Sequence, residues 1–222
     1  MQSIEETETF YRSLEPSILA HTKELDKRIL ATNEKLEGNC FYLHNSFIPP
    51  WFLIYKRMNF VMAMKTYAIK KMVEIGFNGG HSAALFLSML PQDGSILFFD
   101  LNDHTYTRSC FEYLRAAYPQ VRDLIAGDSM KTLPTWMQAH MEEVGTFDLV
   151  HVDGGHSPEV SHSDMMLAHF LLKPGGIMIL DDTQIEYITE YIPFLIGKGY
   201  KFLYQIPTYH YAHVLLQKPT AA

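Results

Sequence analysis

The chain has 222 residues, 47% of them apolar and 19% charged, enough for one domain with a sizeable core plus a modest extension. Its net charge of −7 argues against nucleic acid or another polyanion as the main partner. No apolar run is long enough to span a membrane and the first residues are acidic, so neither a membrane anchor nor a secretory signal is expected. The two cysteines, Cys40 and Cys110, form no C-x-x-C, which suits a soluble cytoplasmic protein with free thiols.

In chain order, residues 1–37 carry Ile4, Leu14, Ile18, Leu25, Ile29 and Leu36 at roughly helical intervals. Pro16 divides that pattern into two predicted helices, the second starting near it. They read as a cap over the core or against a partner chain, and their length beyond what one small domain needs leads to the expectation of a homodimer. Residues 38–55 are aromatic and loop-like, suited equally to lining a pocket and to plugging the core. Lys56, Arg57 and Asn59 then open a helix predicted to run to Lys71. Its cations read as a solvated face, or alternatively as partners for a ligand carboxylate.

From residue 72 strand and helix alternate, the pattern of a parallel sheet with helices on both faces. Strands are predicted at 72–75, 95–99, 124–126, 147–152 and 177–180, and helices near 82–90, 105–118, 130–142, 158–172 and 184–197. These strands are short apolar runs without alternation, as strands buried on both faces are. Segments 201–207 and 210–217 read as an antiparallel edge hairpin turned at Thr208 and Tyr209.

The first of these strands runs into Glu74-Ile75-Gly76-Phe77-Asn78-Gly79-Gly80-His81-Ser82. Glycines there permit positive φ and close approach of a ligand, and the helix start offers free N–H groups. Twenty residues past Gly80 the second strand ends in Asp100, an acid suited to the two hydroxyls of a ribose. A nucleotide-like cofactor follows. A dinucleotide fingerprint needs a second glycine two residues after Gly76, where Asn78 stands, so the pattern is E-x-G-x-x-x-G-x-S instead.

Acids recur at the strand ends: Asp100, Asp128, Asp153 and Asp181. Ligands of open α/β sheets lie at that edge, and acids gathered there must be offset by hydrogen bonds or a cation. Asp153, Asp181 and Asp182 end neighbouring strands, so three oxygen donors converge as a site for Mg²⁺ or Mn²⁺. The local alternative is a capping box from Thr183 to Glu186, with Asp182 favouring the helix start. His156 lies in a glycine-rich loop above the sheet, since Ser157 and Pro158 make a good helix start. It is the candidate general base.

The spacing Glu74, Gly76, Gly80, Ser82 resembles the S-adenosylmethionine (SAM) loop of class I methyltransferases. Over residues 72–182 the chain resembles in particular the metal-dependent O-methyltransferases, of catechol and caffeoyl-CoA type and of the sugar-modifying branch. The resemblance implies a Rossmann-like fold, a seven-stranded mostly parallel sheet with an antiparallel last strand, and a helical N-terminal extension. It divides the chain into a cap with the acceptor-pocket segment (1–71) and a SAM-binding domain (72–222). It implies SAM contacts from Glu74, Gly76, Phe77, Asn78, Gly80, Ser82, Asp100, Leu101, Asp128, Ser129 and Asp153, and metal ligation by Asp153, Asp181 and Asp182. The Asp181-Asp182 pair and a histidine rather than a lysine at position 156 match the sugar-modifying branch. The expected reaction is therefore metal-dependent methyl transfer to a hydroxyl of a small polyhydroxylated metabolite, a sugar or nucleotide-sugar before a catechol. The alternatives are a nicotinamide-dependent oxidoreductase and a non-catalytic SAM-binding regulator or scaffold.

Overall fold

A computed structural model describes residues 3–42, 53–208 and 212–220. Two helices, α1 (Ile4–Leu30) and α2 (Leu53–Thr66), precede an alternating array. It runs β1 (Lys71–Ile75), α3 (His81–Met89), β2 (Ser95–Asp100), α4 (Thr105–Ala117), β3 (Val121–Ala126), α5 (Ser129–Ala139) and β4 (Phe147–Val152). It continues through α6 (Pro158–Leu171), β5 (Leu172–Leu180), α7 (Glu186–Glu190), α8 (Ile192–Gly197), β6 (Lys201–Phe202) and β7 (Val214–Gln217). Most of the aromatic stretch, residues 43–52, and the turn residue Tyr209 lie outside the described residues.

The seven strands form one sheet in the order β3-β2-β1-β4-β5-β7-β6. The first five pair in parallel, and β7 runs antiparallel to both β5 and β6. The C-terminal pair is shorter than the expected hairpin, and β7 inserts between β5 and the edge strand β6. Side chains alternate between the two faces as the pleat requires. Met72, Ile96, Phe98, Leu149, Ile177 and Ile179 join one core with α1 to α4. Val73, Ile75, Leu97, Phe99, Val150, Met178 and Leu180 join a second core with α5 and α6. Glu74 and His151 fall in register on the first face, and Asp181, just past β5 and two residues after the His151 partner Ile179, follows on the same face, three ionisable groups among apolar neighbours.

The helical extension departs from expectation in three places. Pro16 does not divide α1, which runs 27 residues from a capping box between Ser3 and Glu6. An internal proline costs about 3 kcal/mol; burial of Tyr11, Ile18, Leu25 and Ile29 along one face of α1 outweighs it. The helix after residue 52 stops at Thr66 rather than Lys71, with Ala68 in a left-handed conformation that cannot continue it. Lys56 and Arg57 of α2 are not a solvated face: both are buried. Arg57 donates to the Tyr11 hydroxyl (2.6 Å) and the Cys40 carbonyl (2.9 Å), and its guanidinium lies 4.7 Å over the Phe41 ring. One buried cation thus ties α1, α2 and the segment leading to Tyr42 together. Further on, the helix expected over 184–197 breaks at Tyr191 into α7 and α8, with Pro193 in the first turn of α8. Among the described residues, no helix is long and apolar enough to cross a membrane.

Candidate active site

A cleft of about 710 Å³ opens at the carboxyl edge of the parallel strands, within the usual size of small-molecule sites. One end is built by the loop between β1 and α3. Gly76 has φ +94°, and a Cβ there would stand 1.9 Å from the Asp153 backbone oxygen, so only glycine fits. Gly80, at φ +78°, precedes the first turn of α3. The Asn78 N–H donates to Asp100 Oδ2 (2.8 Å) and the Asn102 N–H to Asp100 Oδ1 (2.7 Å). A carboxylate offers about four acceptor positions, so Asp100 is aimed by the backbone and keeps capacity for ligand hydroxyls. Leu101 and Met130 stand exposed at the mouth of this end, an apolar cover for a ring. Asp128 caps α5 by accepting from the Met130 N–H (3.0 Å), the turn-forming role, while its side chain still borders the cleft.

The other end is built by the loops after β4 and β5. His156 Nε2 lies 2.8 Å from Asp182 Oδ2. That carboxylate raises the imidazole pKa above its usual value against a smaller opposing effect of burial. Asp182 itself has φ +54°, a left-handed turn that sends its side chain away from that of Asp181. Asp181 is buried and pairs with Lys56, whose Nζ lies 2.7 Å from each of its oxygens. Behind it, His151 Nδ1 meets Glu74 Oε1 (2.9 Å), His151 Nε2 lies 3.5 Å from Asp181, and Ser82 donates to Glu74 (2.6 Å). Burial opposes charge on His151, but the Asp181 and Glu74 carboxylates outweigh it and lift its pKa to about 10. Burial and the neighbouring Asp181 charge push Asp153 well above the usual carboxylate range.

Among the described residues, two groups bring metal-ligating atoms within 4.8 Å of one another: Asp153 with His156 and Asp182, and Asp153 with His151 and Asp181. The three aspartates expected to act together are thus split, because Asp181 faces α2 and Asp182 faces the His156 loop. The capping-box alternative is not formed either: α7 begins at Glu186 after Ile185, with no side-chain cap.

Of the residues the sequence singles out, Gly76, Phe77, Asn78, Gly80, Ser82, Asp100, Leu101, Asp128, Ser129, Asp153, His156, Asp181 and Asp182 border this one cleft. Glu74 lies beneath its wall, fully buried between Ser82 and His151. Phe77 borders the cleft while its ring packs on Phe98 and Phe111 in the core. Sequence reasoning read Lys56 as a solvated face before a partner for a ligand carboxylate; the signal for its burial was a lysine–arginine pair inside the apolar run from Leu53 to Met64. It missed the buried group of Asp26, Tyr42 and His81, where Tyr42 donates to Asp26 and His81 Nε2 lies 3.0 Å from that carboxylate. That group joins α1 to the first residue of α3, directly behind the loop. Asp164 on α6 is a further buried acid, beside Gly154, and burial pushes its pKa up to about 7.

A family described as a methyltransferase domain matches residues 73–183, half of the chain. Caffeoyl-CoA O-methyltransferase 2 of Zea mays is 30% identical over 122 residues, 55% of this chain and 45% of that protein. The flavonoid 3',5'-methyltransferase of Vitis vinifera is 29% identical over 122 residues, 55% of this chain and 51% of that protein. The chain spans about half the length of the curated relatives it matches. Among solved structures, an O-methyltransferase from Bacillus cereus in complex with SAH superposes with a TM-score of 0.63 at 15% identity, covering 89% of this chain and 90% of that one. The O-methyltransferase TomG from Streptomyces achromogenes, in complex with SAM, gives 0.56 at 21% identity over 72% and 77%. At these identities the likeness of the structures is one of fold.

Proposed function

The chain belongs to the methyltransferase-domain family, and from that premise we propose that it is a SAM-dependent O-methyltransferase acting on a small polyhydroxylated metabolite. One observation carries this reading: a single cleft borders both the Gly76–Ser82 loop with Asp100 and the group Asp153, His156 and Asp182. On this reading a cofactor and an acceptor hydroxyl share one cleft, and their proximity supplies much of the rate.

The loop Gly76 to Ser82 and the Asp100 carboxylate bind and orient SAM, Asp100 through the ribose hydroxyls. His156 accepts the proton of the acceptor hydroxyl, and the Asp182 carboxylate 2.8 Å away holds the ring and favours its protonated form. The acceptor oxygen then displaces the SAM sulfur from the methyl carbon in a single step, with inversion at carbon: the carbon–oxygen bond forms as the carbon–sulfur bond breaks, and S-adenosylhomocysteine leaves. The carboxylates of Asp153 and Asp182 suit a hard divalent ion, and their place beside His156 is where such an ion would serve. When bound, Mg²⁺ or Mn²⁺ supplies acidification of the hydroxyl and a fixed position for its oxygen.

A sugar or nucleotide-sugar acceptor is favoured by the Asp181-Asp182 pair and by His156. A catechol-like acceptor is the second reading, because the matched plant relatives are named for caffeoyl-CoA and flavonoid substrates. The test is a screen of sugar, nucleotide-sugar and catechol acceptors for SAM consumption, with Mg²⁺ and with EDTA. Turnover on a sugar or nucleotide-sugar, lost in EDTA and restored by Mg²⁺ or Mn²⁺, is expected. Full activity in EDTA removes the metal, and SAM binding without methyl transfer to any hydroxyl leaves a non-catalytic SAM-binding protein.

A further inference from the structure

We propose that Lys56 is the resident cation of this site: it is the counter-charge of Asp181, keeps that carboxylate from any divalent ion, and confines the ion to Asp153 and Asp182. Lys56 comes from α2, outside the region 73–183 that carries the family match. Its side chain is 6% exposed, that of Asp181 1%, and Nζ lies 2.7 Å from both carboxylate oxygens. A divalent ion of this class binds oxygen at about 2.0–2.1 Å and needs the same lone pairs. Ion and ammonium cannot both hold Asp181 in that geometry.

The left-handed turn at Asp182 completes the division. It places Asp182 with His156 on the loop side, while Asp181 stays on the sheet face with Glu74 and His151. Asp153 is shared between the two sets. An ammonium carries three donors, and Lys56 spends its hydrogen bonding on one carboxylate while bordering the cleft. A donor therefore remains for an oxygen of the acceptor, which makes Lys56 a positioning residue for the transfer as well. That last role rests on the methyl-transfer reading; the division of the acids stands without it.

The experiment measures Mn²⁺ binding to the whole chain by the electron paramagnetic resonance of free ion, without SAM or acceptor. Lys56→Met removes a positive charge beside the acids and frees Asp181. It should bind Mn²⁺ at least about tenfold more tightly than the parent chain, by the Coulomb attraction restored at short range. Lys56→Arg should keep the parent behaviour. Adding Asp181→Asn to Lys56→Met restores the original charge and should bring binding back to the parent level. Because Lys56→Met takes the nearest counter-charge from Asp181 and leaves it His151 at 3.5 Å, its melting temperature should fall, and Mn²⁺ should raise it more than it raises the parent's. Binding no tighter than the parent's overturns the proposal, as does a Lys56→Met chain that stays unfolded with Mn²⁺ present. A parent chain that binds no Mn²⁺ at all removes the metal from the proposed function, and the Lys56→Met comparison still decides the role of Lys56.

Discussion

The loop after β1 holds its shape through the backbone, whereas the loops after β4 and β5 hold theirs through charge. In the first, Gly76 and Gly80 take conformations that other residues rarely adopt, and two backbone N–H groups aim Asp100. In the second, Lys56, Asp181, His151 and Glu74 form a buried chain of alternating charge, and Asp182 pairs with His156. A backbone-built end suits a ligand that is always the same. A charge-built end can respond to a proton, an ion or an acceptor, because each changes the balance the loops depend on.

If the two ends are separate devices, damage to one should spare the other. The largest effect is expected for Gly76→Ala. Its new Cβ would overlap the Asp153 backbone oxygen, and the left-handed strain alone costs about 1–3 kcal/mol. Calorimetry should find no SAM binding, and because the clash is with the β4 loop, this one change should damage both ends. His156→Ala should lower kcat by roughly 10²–10⁴-fold, the usual worth of a positioned base, with SAM affinity unchanged in the same titration. Asp100→Ala is the converse. It should cost about 1–3 kcal/mol of SAM affinity, leaving kcat at saturating SAM near the parent value.

The smallest effect on the site itself concerns Asp164, beneath the loop that joins the two ends, whose change is read in stability instead. Burial raises its folded pKa from 3.8 to about 7, so the folded state holds a proton that the unfolded chain has released. Stability therefore falls as pH rises through that window, because the unfolded state binds fewer protons there. Thermal melts between pH 4 and 7 should show this decline, and Asp164→Asn should flatten it without altering SAM affinity at pH 7.

The same contrast explains which features are legible in the amino-acid sequence and which are not. Gly76, Gly80 and Asp100 act through backbone conformation and position in the chain, which spacing records directly. The strand-end acids are legible too, since each follows a short apolar run. Their division is not, because it depends on a lysine far away in sequence and on the left-handed turn at Asp182. Pro16 misleads for a related reason: its local cost is visible in sequence, while the buried face of α1 that overrides it is set by α3 and α4. Glu74 carries the right spacing for the wrong depth; the pleat turns it toward Ser82 and His151 instead of the cleft.

The place of β7 bears on how the site comes into being during synthesis. On the side away from β4, β5 is paired by β7, from Ile177 with Gln217 to Leu180 with Val214, and the Thr183 N–H donates to the Ala212 carbonyl (2.9 Å). All four parallel partnerships can form from chain that leaves the ribosome earlier. Until residues 212–217 emerge, the strand that leads to Asp181 has one open edge and its loop lacks the anchor at Ala212. The nascent chain can thus assemble its Gly76–Ser82 end first and fix its His156–Asp182 end late, which makes the half-built charge cluster the stage most open to mispairing and to chaperone capture.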